Sequence, residues 1–200
     1  MIVGIILAAG SSSRMGRAKA LLPIGPDLFV TRLCQTMASA GIDDTVVVTG
    51  AATREIGDAL RAAGLQPRVV ENPAPERGQL SSLLVGLGLA DRPGVEAVLV
   101  TLVDVPLVAA STVAAMIEAW RTTHAPLVRP VRAGRHGHPV LFARALFDEL
   151  RHADAGQGAK AVVRAHAQDG VEVRVDDEGA TLDIDTPEDY ERLIGSAAGT

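Results

Sequence analysis

Cysteine is almost missing from this 200-residue chain, and aromatic side chains are scarce: one tryptophan, one tyrosine and three phenylalanines. The single Cys34 excludes an internal disulfide and any cysteine-cluster metal site. Its neighbours Phe29, Val30, Leu33 and Met37 mark it as a small buried apolar residue rather than a nucleophile. Nucleic-acid binding needs a basic field and stacking surfaces, and a net charge of −5 with scattered basic residues and so few aromatics supplies neither. Apolar runs long enough to cross a bilayer are also lacking, and the opening MIVGIILAAG has no positive segment ahead of it. No membrane or nucleic-acid partner is therefore expected, and the location expected is cytoplasmic. The length suits one core, so residues 1–200 are expected to form a single domain.

What is abundant is alternation. IVGIIL, residues 44–50 (DTVVVTG), 67–72 (PRVVEN) and 96–104 (EAVLVTLVD) are short β-branched or aliphatic runs that read as strands buried on both faces. Between them, helical spacing predicts helices over 28–40, ending at Gly41, over 52–64, ending at Gly64, and over 79–90. A fourth helix, 112–120, carries Val113, Met116, Ile117 and Trp120 on one side, which makes the tryptophan a core residue. Strands alternating with helices predict an α/β fold, a mainly parallel sheet in a three-layer α/β/α sandwich. From Pro126 onward the rhythm breaks into short strand-like pieces (LVRP, PVLF, VEVRV), with helical segments near Ala145 and Lys160. TLDIDTPEDYERLI reads as a strand entering a helix, with Thr186 as N-cap, Pro187 at the first helical position and Asp189 completing a capping box.

The stretch LAAGSSSRMGRAKALL follows the first strand and packs glycines, hydroxyls and fixed positive charge into one loop, at the sheet edge where ligands of α/β proteins bind. Gly10 and Gly16 free the backbone to turn N–H groups toward an anion, Ser11, Ser12 and Ser13 add donors, and Arg14 and Lys19 add charge. It is not a Walker loop, because Arg17 and Ala18 separate Gly16 from Lys19 and Ala20 follows. Nor does it hold the glycine triplet of a dinucleotide site. The same composition also suits a strand-to-helix turn without a ligand.

Asp104 should emerge from the carboxyl end of the fourth strand, on the same sheet edge, and Asp185 at a second junction near the C-terminus. Two carboxylates meeting over a triphosphate would suit Mg²⁺, which takes a few carboxylates and completes its shell with phosphate and water. Taken alone, Asp104 equally suits the cap of a turn before proline, and Asp183 a solvated neighbour. His138 falls in an exposed turn, GRHGHPVLF, where an incidental histidine is the simpler reading. Ser81 and Ser82 open the third helix, either as caps or facing a nucleotide. Arg129, Arg132, Arg135 and Lys160 read as surface charge.

Taken together, LAAGSSSRMGRAKALL, NPAPERGQLSSLLVGL, LVDVPLV, GHPVLF, GAKAVV and DIDTPED resemble, in order and spacing across nearly the whole chain, the molybdenum cofactor cytidylyltransferases. These have a MobA-like NTP transferase domain. The resemblance implies the nucleotide-diphospho-sugar transferase type of fold and transfer of CMP from CTP to the phosphate of molybdenum-molybdopterin, with pyrophosphate leaving. It also implies a molybdoenzyme maturation protein as partner. Leu7, Ala8, Ala9, Gly10, Ser11, Ser81 and Ser82 would hold the nucleotide. Arg14 and Lys19 would contact the triphosphate and, with Asp104, carry the reaction. Asp104 and Asp185 would hold Mg²⁺, and His138 and Lys160 would face the acceptor. LAAG resembles the cytidylyl type and LAGG the guanylyl type, which makes Ala9 the residue favouring CTP. Val105 departs from the Gln or Met of many relatives and puts acceptor contacts there in question. Relatives of this kind also include pigment oxidoreductases. A cofactor carrier without catalysis and an NAD(P)H-dependent reductase are thus the alternative functions.

Overall fold

A computed structural model describes residues 1–10 and 18–197, with side chains to residue 192. The strands in chain order are β1 (Ile2–Ala8), β2 (Pro23–Ile24), β3 (Asp27–Leu28), β4 (Thr45–Thr49), β5 (Arg68–Glu71), β6 (Ala97–Leu102), β7 (Leu127–Arg132), β8 (Arg135–His136), β9 (Val140–Ala143) and β10 (Val171–Arg174). The α-helices are α1 (Phe29–Ser39), α2 (Thr53–Ala62), α3 (Gln79–Ala90), α4 (Ala110–Thr123), α5 (Phe147–His152), α6 (Ala159–Ala165) and α7 (Pro187–Ala197).

The main sheet runs β10-β7-β9-β6-β1-β4-β5, with β8 paired to β7. β1 pairs in parallel with β4 on one side and β6 on the other, while β9 enters antiparallel between β6 and β7. The apolar runs of β1, β4 and β6 are buried at all but their end residues Ile2 and Leu102, which are half-buried, because helices cover both faces. Period-two alternation sorts their side chains. Ile6, Val47 and Leu99 face a core with α1 and α4, where Phe29, Leu33, Met37, Met116 and Trp120 lie. Ile5, Val48 and Val98 face the opposite core with Leu83 and Leu87 of α3 and Phe147 and Leu150 of α5. Cys34 and Trp120 are buried, as their spacing predicts. α3 lies so close to the sheet that a Cβ on Gly86 would stand 2.7 Å from Ile5 Cγ2 and 2.9 Å from Val48 Cγ2.

One segment differs from expectation. Residues 181–185, read as a strand, are the end of a 3-10 turn (Glu178–Thr181) followed by extended chain outside the sheet. Its backbone groups bond singly to neighbouring loops: Ile184 N–H donates to Asp104 O at 2.8 Å, and Ala180 O accepts from His138 N–H at 2.8 Å. The helix start after it has the expected box, in which Asp189 N–H donates to Thr186 Oγ1 at 3.1 Å and Thr186 N–H to Asp189 Oδ2 at 3.0 Å. Among the described residues no helix is long and apolar enough to cross a membrane.

Candidate active site

The parallel strands β1 and β6 end side by side, and a cleft of about 280 Å³ opens at that edge. Leu7, Ala8, Ala9 and Gly10 form its floor, Leu102, Val103 and Asp104 one wall, and Pro75, Gly78, Gln79 and Ser82 the other, with Lys19 at its rim. Gly10 does not carry a left-handed φ, and among the described residues a Cβ there would meet nothing. The freedom expected of it is therefore not used by the backbone at this position. Ser11, Arg14 and Gly16 lie outside the described residues.

The wall after β5 is built by a residue the sequence reading passed over. Asn72, buried at the end of its strand, donates through Nδ2 to Ser81 Oγ at 2.8 Å and Ser82 Oγ at 3.0 Å, while its Oδ1 accepts from Ala74 N–H at 3.0 Å. Ser81 in turn donates to Gly78 O at 2.8 Å, so the first turn of α3 is tied to the loop before it. Only Ser82 of the two serines reaches the cleft. Neither caps the helix, since the N-cap Gly78 receives no side-chain capping bond. The spacing NP…SS was the available signal, because a buried amide with several polar groups needs partners for all of them.

The charged part of the site lies where β6 runs into its turn. Lys19 Nζ stands 2.7 Å from Asp185 Oδ1 and 3.7 Å from Asp104 Oδ2, bridging residues from three distant parts of the chain. Among the described residues Asp104 Oδ1 is buried without a hydrogen-bond partner. Burial pushes the Asp104 carboxyl above the usual carboxylate value; Lys19 opposes this, and the charges of Asp185 and Asp183 add to it. Among the described residues no three His, Cys, Asp or Glu side chains gather as a metal cage. An orphaned buried carboxylate oxygen beside a second carboxylate nevertheless fits Mg²⁺, whose remaining ligands come from phosphate and water.

His138 departs from the exposed turn expected: it is half-buried, with Nδ1 enclosed and, among the described residues, unpartnered. Burial pulls its imidazole below the ordinary value, with Asp183 and the Val100 backbone opposing and Lys160 assisting. His138 and Lys160 are thus near enough for the lysine charge to act on the imidazole, Lys160 being exposed. Val105 is fully buried in the core, so its difference from Gln or Met alters packing rather than a contact with an acceptor. Arg129, expected at the surface, is only 14% exposed and pairs with Glu172 at 2.7 Å. Arg132 lies 3.7 Å from Asp176, and Arg135 reaches Thr181 O at 3.5 Å.

A mainly parallel sheet between helical layers, with a cleft at the ends of its central strands, is the architecture of the nucleotide-diphospho-sugar transferase fold, whose members include nucleotidyltransferases. Residues 4–171 match the family described as the MobA-like NTP transferase domain. The chain is 31% identical to nicotine blue oxidoreductase of Paenarthrobacter nicotinovorans, covering 96% of each protein. It is 30% identical to a molybdenum cofactor guanylyltransferase of Cereibacter sphaeroides, covering 96% of this chain and 94% of that one. Rv0371c of Mycobacterium tuberculosis H37Rv superposes with a TM-score of 0.79 at 32% identity, over 97% of both chains. A structure of Rv0371c in complex with manganese gives a TM-score of 0.79 at 29% identity, over 98% of both chains. The chain belongs to the MobA-like NTP transferase family and is a nucleotidyltransferase.

Proposed function

We propose that this protein transfers CMP from CTP to the phosphate of molybdenum-molybdopterin, in the cytoplasm, with Mg²⁺ held by Asp104 and Asp185. The observation that carries the reading is the Lys19 bridge between those two carboxylates at the rim of the cleft. The floor at Leu7, Ala8, Ala9 and Gly10 takes base and ribose against Ser82, with Ser81 bracing that wall. Lys19 lies beside the triphosphate, as do Ser11 and Arg14 in the proposal. His138 and Lys160 meet the acceptor.

The acceptor phosphate oxygen attacks the α-phosphorus, and the bond from that phosphorus to the bridging oxygen breaks as pyrophosphate leaves. A bound divalent cation supplies charge neutralisation on the triphosphate and the departing pyrophosphate. The acceptor is already ionised, so no strong base is needed. Lys19 lessens the repulsion between two anions and holds the leaving group, and the floor fixes the angle of attack. The product would pass to a molybdoenzyme maturation protein.

Ala9 supports CTP because its methyl group narrows the floor for a purine. Ala9→Gly should relax the preference for CTP over GTP by on the order of tenfold in kcat/KM, the scale of one methyl group in a pocket. Pyrophosphate release measured with each triphosphate and molybdopterin tests this, and release with GTP alone would overturn the assignment. The similarity to nicotine blue oxidoreductase favours a second reading, an NAD(P)H-dependent reductase. It requires loss of NAD(P)H absorbance with an aromatic acceptor and no release of pyrophosphate.

A further inference from the structure

The segment joining β10 to α7 is fastened at unusual density for chain outside a sheet. Asp177 Oδ2 accepts from Ala109 N–H at 2.9 Å and from Thr112 Oγ1 at 2.7 Å, tying the residue before α4 and the first turn of that helix to a carboxylate far along the chain. Two residues on, a Cβ at Gly179 would stand 2.1 Å from Leu107 O. On the other side, a Cβ at Gly137 would stand 2.1 Å from Ala180 O, the oxygen that His138 N–H also reaches. Neither glycine carries a left-handed φ, so each is required by close approach of two backbones and not by its own conformation. Ala180 and Ile184 are buried at 1% exposure, and Ile184 N–H closes onto Asp104 O. With Ile184 turned inward, Asp183 and Asp185 project outward on either side of it.

We propose that residues 177–184 act as a strap that sets the separation of the Asp104 and Asp185 carboxylates and the depth of His138, with Asp177 and Gly179 as its positioning residues. This rests on the reading above that the two carboxylates hold the cation. The strap crosses the loop carrying Asp104 and the turn carrying His138 at backbone distance, so the two sides of the site cannot shift independently. Asp177 anchors the end of the strap away from the carboxylates. Gly179 lets the strap lie flush on Leu107, and a methyl group there lifts it away from the Asp104 loop.

The test is Mn²⁺ binding, followed by the electron paramagnetic resonance of free Mn²⁺ without nucleotide. It compares the wild type with Asp177→Ala, Gly179→Ala, Asp177→Asn, Asp104→Asn and Asp44→Ala. Asp177→Ala and Gly179→Ala should each weaken Mn²⁺ by roughly 10- to 100-fold, the usual effect of losing a residue that orients a ligand. Asp177→Asn, which keeps an acceptor oxygen, should recover most of that loss. Asp44 pairs with Arg68 and Arg92 at the opposite edge of the sheet, so Asp44→Ala should lower the unfolding midpoint and leave Mn²⁺ affinity unchanged. If Gly179→Ala does not fold, Asp177→Ala decides. Unchanged affinity in Asp177→Ala, with loss in Asp104→Asn, overturns the strap alone, as does an equal loss in Asp44→Ala. Binding that survives Asp104→Asn, or no binding to the wild type, overturns the metal reading and the strap with it.

Discussion

Lys19, Asp104 and Asp185 form a charge arrangement in which no member is neutral to the others. Asp104→Asn keeps the shape of the side chain and removes the charge. Turnover should fall by at least about 10²-fold while cooperative thermal unfolding persists, and a steady-state rate beside a melting curve checks both. Cys34 gives a prediction of another kind. Burial pushes its thiol from the ordinary 9.0 up to about 12, so the folded chain holds a proton that the unfolded chain releases above about pH 9. The stability contributed by this burial is complete below pH 9 and declines as pH rises toward 12. Denaturant titrations between pH 8 and 11 should show that decline, and in Cys34→Ala it should be reduced. An aromatic disulfide reagent should label Cys34 only after unfolding. His138 shows why some of the site was hidden: GHP reads as an exposed turn, yet its backbone N–H is held by Ala180 O and its imidazole feels Asp183, partners that no local pattern brings there.

The elements of the sheet centre were legible because their signals are local. β1, β4 and β6 are dominated by aliphatic and β-branched residues, and Gly41 and Gly64 close their helices with φ of +85° and +72°. The capping box at Thr186 was equally plain. Thr186→Val should cost about 1 kcal/mol, measured by urea unfolding, because it frees the N-terminus of a helix whose Tyr190 hydroxyl donates to Pro23 O at 2.9 Å. The failures occurred where partners are remote. Residues 181–185 have the composition of a strand, yet the Ile184 N–H goes to Asp104 O in a loop rather than into a ladder with a neighbouring strand, a distinction alternation does not encode. Asp177 looks like a surface acid until α4 is placed beside it. Gly86 falls inside the stretch 79–90 that reads as helix, where glycine lowers propensity, whereas the sheet leaves no room for its Cβ. Gly86→Ala should therefore destabilise by about 1–3 kcal/mol, against the gain expected from helix propensity, and chemical denaturation gives the sign.

At the scale of the whole molecule, ligand binding and folding are one equilibrium. CTP with Mg²⁺ at about 100 times the dissociation constant should add roughly 2.7 kcal/mol, moving the melting midpoint by about 5–10 °C for a chain of this size. Chelation of the metal should erase most of that shift, and a shift with NADPH in place of CTP would argue for the reductase. The sheet order has a temporal side as well. β1, β4, β5 and β6, which carry the floor and first wall of the cleft, are complete by Leu102, whereas Asp185 follows Asp104 by 81 residues. At a synthesis rate of about 5–20 residues per second, roughly 4–16 s separate these two carboxylates on the ribosome. The strands that carry the cleft floor thus leave the ribosome well before the segment that brings Asp185 to Asp104, so the proposed metal site is assembled late, by docking onto a sheet edge already synthesised.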